Sequence, residues 1–186
     1  VTTVVAFHDM ITKEGHAEEA LRGISDAGIR TRFCFGTIGM PSLDDLLPTT
    51  DWHFEQARRL RAGSLASDDA LITMGLATRE LELLPFAETR RELGLGRELE
   101  LPTITTHAGM GSLSGGASWI EQLRNEGLLG SDQLLSHGQG FTDQELGWIA
   151  EAGASVSVSP ESEIAEGLGM ITSRALEHGV KVSLAV

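Results

Sequence analysis

In this sequence the residues able to do chemistry stand where β-rich runs stop. His107 closes Pro102-Thr103-Ile104-Thr105-Thr106-His107, a β-branched run followed by Ala108 and Gly109. His137 closes Leu134-Leu135-Ser136-His137 just before Gly138. His8 and Asp9 follow the apolar run Val1 to Phe7, and Glu161, Ser162 and Glu163 follow Ser159-Pro160. Neutral imidazole is the commonest protein ligand for zinc and similar divalent ions, and a metal site gathers three or more ligands from separate elements. Two histidines alone do not make such a site. Each also has an ordinary use. A histidine at a strand end can be a hydrogen-bonding loop residue, and glutamates at 161 and 163 fit an acidic entry into a helix, where carboxylates are favoured. His16, His53 and His178 fall inside or beside helical patterns and are expected at the surface.

To bring strand-end residues to one mouth, the chain needs parallel strands whose carboxyl ends converge. The hydropathy pattern supplies them, because short β-rich runs alternate with longer segments of helical period. Val1 to Phe7 reads as a strand buried on both faces. A helix from Gly15 to Ala27 stops at Gly28, and Ile29 to Gly36 is the next strand. Asp51 is expected to cap a helix through Phe54, Ala57 and Leu60, with a strand from Ala70 to Leu76 after it. Pro85 to Leu93 reads as helix with Gly94 beyond its end, leading to the strand Leu101 to His107. Ser118 to Glu126 is helical, Gln133 to His137 extended, and Thr142 to Ala152 helical with Thr142 and Glu145 in a capping box. Ala154 to Ser159, a helix from Ile171 to His178 and a strand from Val180 to Val186 complete a count of seven strands and six helices. Such units close into an eight-stranded barrel or open into a doubly wound sheet. A barrel takes roughly 250 residues, so 186 residues fall about one unit short.

The length suits one domain over residues 1–186. With 27 acidic against 14 basic residues the net charge is -13, which argues against nucleic acid or an anionic membrane as partner. The arginines at 58, 59, 61, 90 and 91 lie among Glu and Leu and read as solvated helix faces. No apolar run is long enough for a membrane helix. The single cysteine, Cys34, excludes an intrachain disulfide and is expected in the core. Nothing at the N-terminus directs export, so a cytoplasmic location is expected. The stretch Gly109 to Gly116 has the setting of a phosphate-cradling loop. Ser114, however, replaces the third glycine and no Gly-Lys-Ser/Thr follows, so nucleotide binding is a weak reading.

Thr105-Thr106-His107-Ala108-Gly109, Leu135-Ser136-His137-Gly138 and Gly153-Ala154-Ser155-Val156-Ser157-Val158-Ser159-Pro160-Glu161-Ser162-Glu163 resemble the amidohydrolase superfamily, in its cytosine deaminase-like and chlorohydrolase-like branch. The resemblance implies an α/β fold, a (β/α)8 TIM barrel of the metal-dependent hydrolase type, incomplete here and covering roughly strands two to eight. It implies one divalent metal ion, zinc or iron, and hydrolysis of a C–N bond in a small cyclic or amide substrate. His107 matches the family's metal ligand after strand five, and His137 the strand-six histidine that contacts the metal-bound water. The His-x-His pair of strand one would precede Val1, and the Asp of strand eight would follow Val186. Many deaminases of this branch carry a proton-shuttling Glu three residues past the strand-five His, where this chain has Met110. Proton transfer then falls to Glu161 or Glu163, while His8 and Met110 are expected to line the substrate. A small-molecule substrate and a possible homo-oligomer complete the expectation. A non-catalytic scaffold lacking most ligands is the alternative, and a nucleotide-binding α/β protein the weaker one.

Overall fold

The computed structural model describes residues 2–37, 50–111 and 118–185. The loop 38–49, expected to hold specificity, and residues 112–117 of the glycine-rich stretch lie outside the described residues. The chain divides into two compact units, one of Val1–Arg79 with Arg91–Thr105, the other of Glu80–Arg90 with Thr106–Val186.

The first unit runs β1 (Thr3–His8), α1 (His16–Ala27), β2 (Arg30–Gly36), α2 (Thr50–Ala62) and β3 (Ile72–Ala77), then takes the later turns of α3 (Phe86–Glu98) and the start of β4 (Ile104–Ala108). β1, β2 and β3 pair in parallel, with Ala6 opposite Phe33 and Phe33 opposite Met74, and β3 meets β4 at Leu76 and Ile104. Phe33, Cys34, Phe35, Met74 and Leu76 are sealed in its core. Burial pushes the Cys34 thiol up to about 12, so it is an inert core residue, as its apolar setting suggested.

The second unit holds the end of β4, α4 (Ile120–Asn125), β5 (Gln133–His137), α5 (Asp143–Ala152), β6 (Ser155–Val158), α6 (Pro160–Ala165), α7 (Thr172–Glu177) and β7 (Lys181–Leu184). β5, β6 and β7 pair in parallel, and the expected capping box of α5 is present, with Thr142 Oγ1 accepting from the Glu145 amide. The seven strands follow one another in chain order. Parallel strands in sequence order with helical crossovers are the barrel's arrangement, and a doubly wound sheet would reverse order at a switch point.

Several expectations are corrected. β1 is not buried on both faces: Val5 is 46% exposed, because β1 stands at the end of the strand order with β2 as its paired neighbour. Gly94 does not stop α3, which continues to Glu98. Gly96 is used for close packing instead, since a Cβ there would come within 2.4 Å of Ile104 Cδ1. Thr50, rather than Asp51, begins α2. The Ser159-Pro160 segment forms a helix of its own, α6, giving seven helices among the described residues. His53 is buried rather than at the surface, 2% exposed between the rings of Phe35 and Phe54. His53, Ala57 and Leu60 are spaced four and three apart, the inner stripe of α2.

Four of the arginines at 58, 59, 61, 90 and 91 are solvated and paired, among them Arg58 with Glu98 at 2.8 Å, Arg90 with Glu126 at 2.6 Å and Arg91 with Asp51 at 3.1 Å, whereas Arg61, 15% exposed, is largely enclosed beside Asp68. Such exposed pairs contribute little stability, about 0–1 kcal/mol each. Among the described residues no helix is long and apolar enough to cross a membrane.

Gly36 sits opposite Ala77, and a Cβ built on it would lie 2.3 Å from the Ala77 carbonyl oxygen. Backbone has to move to admit a methyl there, so Gly36→Ala is expected to cost about 1–3 kcal/mol. Urea unfolding of the variant should show a lower midpoint with an unchanged slope. An unchanged midpoint would mean that the two strands separate freely.

Candidate functional site

Within the second unit, His107 is the penultimate residue of β4 and His137 the last residue of β5, and the two turns that follow are pinned together. Gly138 donates its amide to the Ala108 carbonyl at 2.9 Å, and Gly140 donates to the Gly109 carbonyl at 2.7 Å. Phe141 packs beneath, so close that a Cβ on Gly109 would lie 2.5 Å from its ring, and Gly109 also takes φ 62. Only glycine meets both demands at that position. As a result the imidazoles of His107 and His137 stack, with centroids 5.2 Å apart and planes 24° from parallel.

Each imidazole is held by a carboxylate. His107 Nδ1 lies 3.3 Å from Glu80 Oε1, and His137 Nδ1 lies 3.2 Å from Glu163 Oε1. Glu163 is 1% exposed. The start of α6 places it, because Pro160 opens the helix and the Ser159 amide donates to the same Glu163 Oε1 at 2.9 Å. A carboxylate on Nδ1 keeps the proton there and turns the Nε2 lone pair outward, the arrangement usual behind metal-ligating histidines. His137 also adopts φ 83, a left-handed conformation uncommon for a residue with a side chain. Backbone strain of this kind gathers at functional sites. Burial lowers the His137 pKa, the neighbouring His107 lowers it further, and Glu163 opposes both. The ring is therefore neutral near pH 7, the form in which it can accept a proton or ligate.

A further carboxylate stands beside the pair. Glu82 Oε1 accepts the Gly109 amide at 2.7 Å, and burial pushes the carboxyl up to about 7 against that hydrogen bond, with the charge of Glu145 adding to the rise. Its Oε2 is enclosed with no hydrogen-bond partner among the described residues.

The structure thus brings His107, His137 and Glu163 together. Glu161 lies exposed on the first turn of α6, where it lines a cavity of about 650 Å³ with Ser159, Pro160, Ser162, Glu166 and Ala185 at the ends of β6 and β7. Met110 is half-buried, next to Gly109. His8 belongs to the first unit, half-buried with its ring 4.6 Å from Phe33, and burial lowers its pKa against the pull of Asp9. Glu80 and Glu82 did not emerge from the sequence reading. Both stand just past the end of β3, as His107 stands near the end of β4, so the same strand-end logic points to them once the strand is extended to Ala77.

No family model matches the chain. It is 28% identical over 188 residues to the 5-methylthioadenosine/S-adenosylhomocysteine deaminase of Halobacterium salinarum, covering 96% of this chain and 42% of that protein. It is 25% identical over 190 residues to the enzyme of the same description from Pyrococcus abyssi, covering 91% and 40%. The chain therefore spans less than half the length of the curated relatives it matches. Among solved structures, a variant of the Arthrobacter aurescens atrazine chlorohydrolase, complexed with zinc and atraton, superposes with a TM-score of 0.83 at 16% identity, over 100% of this chain and 45% of that one. A zinc-bound adenosine deaminase from Xanthomonas campestris gives 0.79 at 19% identity, over 100% and 42%. These likenesses show the fold, an incomplete barrel of the metal-dependent hydrolase type, and the resemblance to the amidohydrolase superfamily extends over nearly the whole chain.

Proposed function

We propose that this chain is part of an amidohydrolase-superfamily enzyme that hydrolyses a C–N bond of a small cyclic or amide substrate with a metal-activated water. The observation that carries the reading is the stacked pair of His107 and His137, each held at Nδ1 by its own glutamate. The likeness to deaminases and to zinc-bound hydrolases supports it.

The donors suit a divalent ion, zinc or iron, because imidazole nitrogens backed by carboxylates are the expected ligands. When bound, such an ion supplies a hydroxide-like nucleophile near neutral pH by lowering the pKa of its water from about 15.7 toward 7. His107 is the residue that would hold it. His137, fixed in one tautomer by Glu163, orients the attacking water through Nε2. Glu80 performs the same positioning for His107. Glu161 lines the cavity at the ends of β6 and β7, where it is a candidate to meet substrate. The partner is a small molecule, and a homo-oligomer is the working expectation for the assembly.

Glu80→Gln and Glu163→Gln test this reading. Each keeps the side-chain shape but weakens the hold on Nδ1, and loss of such a partner costs about 10–100-fold in metal affinity or activity. In a polypeptide extending this chain to its relatives' length, we expect zinc binding and ammonia release from aminated heterocycles to fall together by that factor. Wild-type protein that takes up no zinc and releases no ammonia would leave the scaffold alternative in place.

A further inference from the structure

We propose that Glu82 is the residue that carries the proton from the attacking water to the departing nitrogen. This rests on the hydrolytic reading above and adds to it an acid–base group from the segment after β3. In the reaction a C–O bond forms from water and the C–N bond breaks. The water gives up a proton, and the leaving nitrogen must gain one. A single carboxylate that takes the first and delivers the second balances the step with no other reactant.

Of the glutamates around the pair, two are committed. Glu80 meets the Nδ1 of His107, and Glu163 Oε1 takes both the Nδ1 of His137 and the Ser159 amide. Glu161 is exposed to solvent. Glu82 differs from all three. Its Oε1 is anchored by the amide of Gly109, two residues beyond His107, and its Oε2 is enclosed without a hydrogen-bond partner. Leaving a buried acceptor unpaired costs about 1–3 kcal/mol, and an orphan of this kind calls for a function that the folded chain alone does not supply. Glu163 Oε2 is likewise unpaired, but the carboxylate of Glu163 is already committed to the His137 ring and the Ser159 amide, whereas Glu82 Oε1 accepts the Gly109 amide. One oxygen fixed to the turn after His107 and one enclosed but unpaired is the geometry of a group whose second oxygen is held ready for a proton.

The test is Glu82→Gln in the zinc-loaded polypeptide extended to its relatives' length, because a glutamine oxygen still accepts from Gly109 but carries no exchangeable acid proton. We expect kcat to fall about 10²–10⁴-fold, with KM and zinc content at wild-type values. Glu82→Ala, which opens space, should regain turnover when formate is added. A Glu82→Gln enzyme within about threefold of wild type, or one that loses zinc along with activity, would overturn the proposal while wild-type turnover still upheld the hydrolytic reading. A wild type without zinc or turnover would remove the reaction and this proposal with it.

Discussion

Replacing His107 by alanine lowers turnover by about a thousandfold or more. The estimate follows from what a metal contributes, several kcal/mol of charge stabilisation at the transition state, and from the tenfold change in rate that each 1.36 kcal/mol brings. On the proposed reading His107 is the metal ligand, and it stands stacked on His137 and held at Nδ1 by Glu80. The alanine variant also leaves the buried Glu80 carboxylate without that imidazole, so the effect should exceed that of Glu80→Gln. The check is kcat/KM for ammonia release in the wild type and the variant, both at saturating zinc. A loss below about tenfold would assign His107 an ordinary place in the turn after β4.

Acid should destabilise the first unit chiefly through His53. Burial among Phe35 and Phe54, aided by the charge of Arg79, lowers its pKa from 6.5 to about 3. The sign follows from proton binding. Between those two values the unfolded chain holds a proton at this position that the folded chain refuses, so stability rises with pH. The contribution is fully present above pH 6.5 and is lost progressively as the pH falls toward 3. At 1.36 kcal/mol per pKa unit the total is roughly 5 kcal/mol, comparable with the whole stability of a small domain. Urea unfolding at a series of pH values should show this slope, and His53→Leu should flatten it. A variant with the wild-type slope would show that other groups set the acid limit.

What the sequence disclosed depended on how local the cause was. The strands ending at His107 and His137 are legible because a β-branched run stops on an imidazole and a glycine follows, and the capping box of α5 because Thr142 and Glu145 stand at the required spacing. His107 and His137 as neighbours required the family resemblance, since the hydrogen bonds that pin their turns join segments about thirty positions apart. α6 escaped because six residues, Pro160–Ala165, are too few to show a helical period, so Glu161 and Glu163 read equally well as an acidic loop. The helix then separates them, turning Glu161 to solvent and Glu163 inward to His137. Glu80 and Glu82 sit in a polar connection that looks like linker, and only the fold shows that one meets an imidazole and the other the Gly109 amide. β1 misled for a different reason. Its composition is that of a central strand, whereas its exposure is set by its place at the end of the strand order.

The proposal that His107 holds a divalent metal ion beside His137 is tested most directly by elemental analysis after zinc loading and removal of free metal. The polypeptide extended to its relatives' length would be compared with its His107→Ala variant at matched folding, judged by circular dichroism. The account predicts stoichiometric zinc in the wild type and little or none in the variant. Equal zinc in both, or none in either, would contradict it.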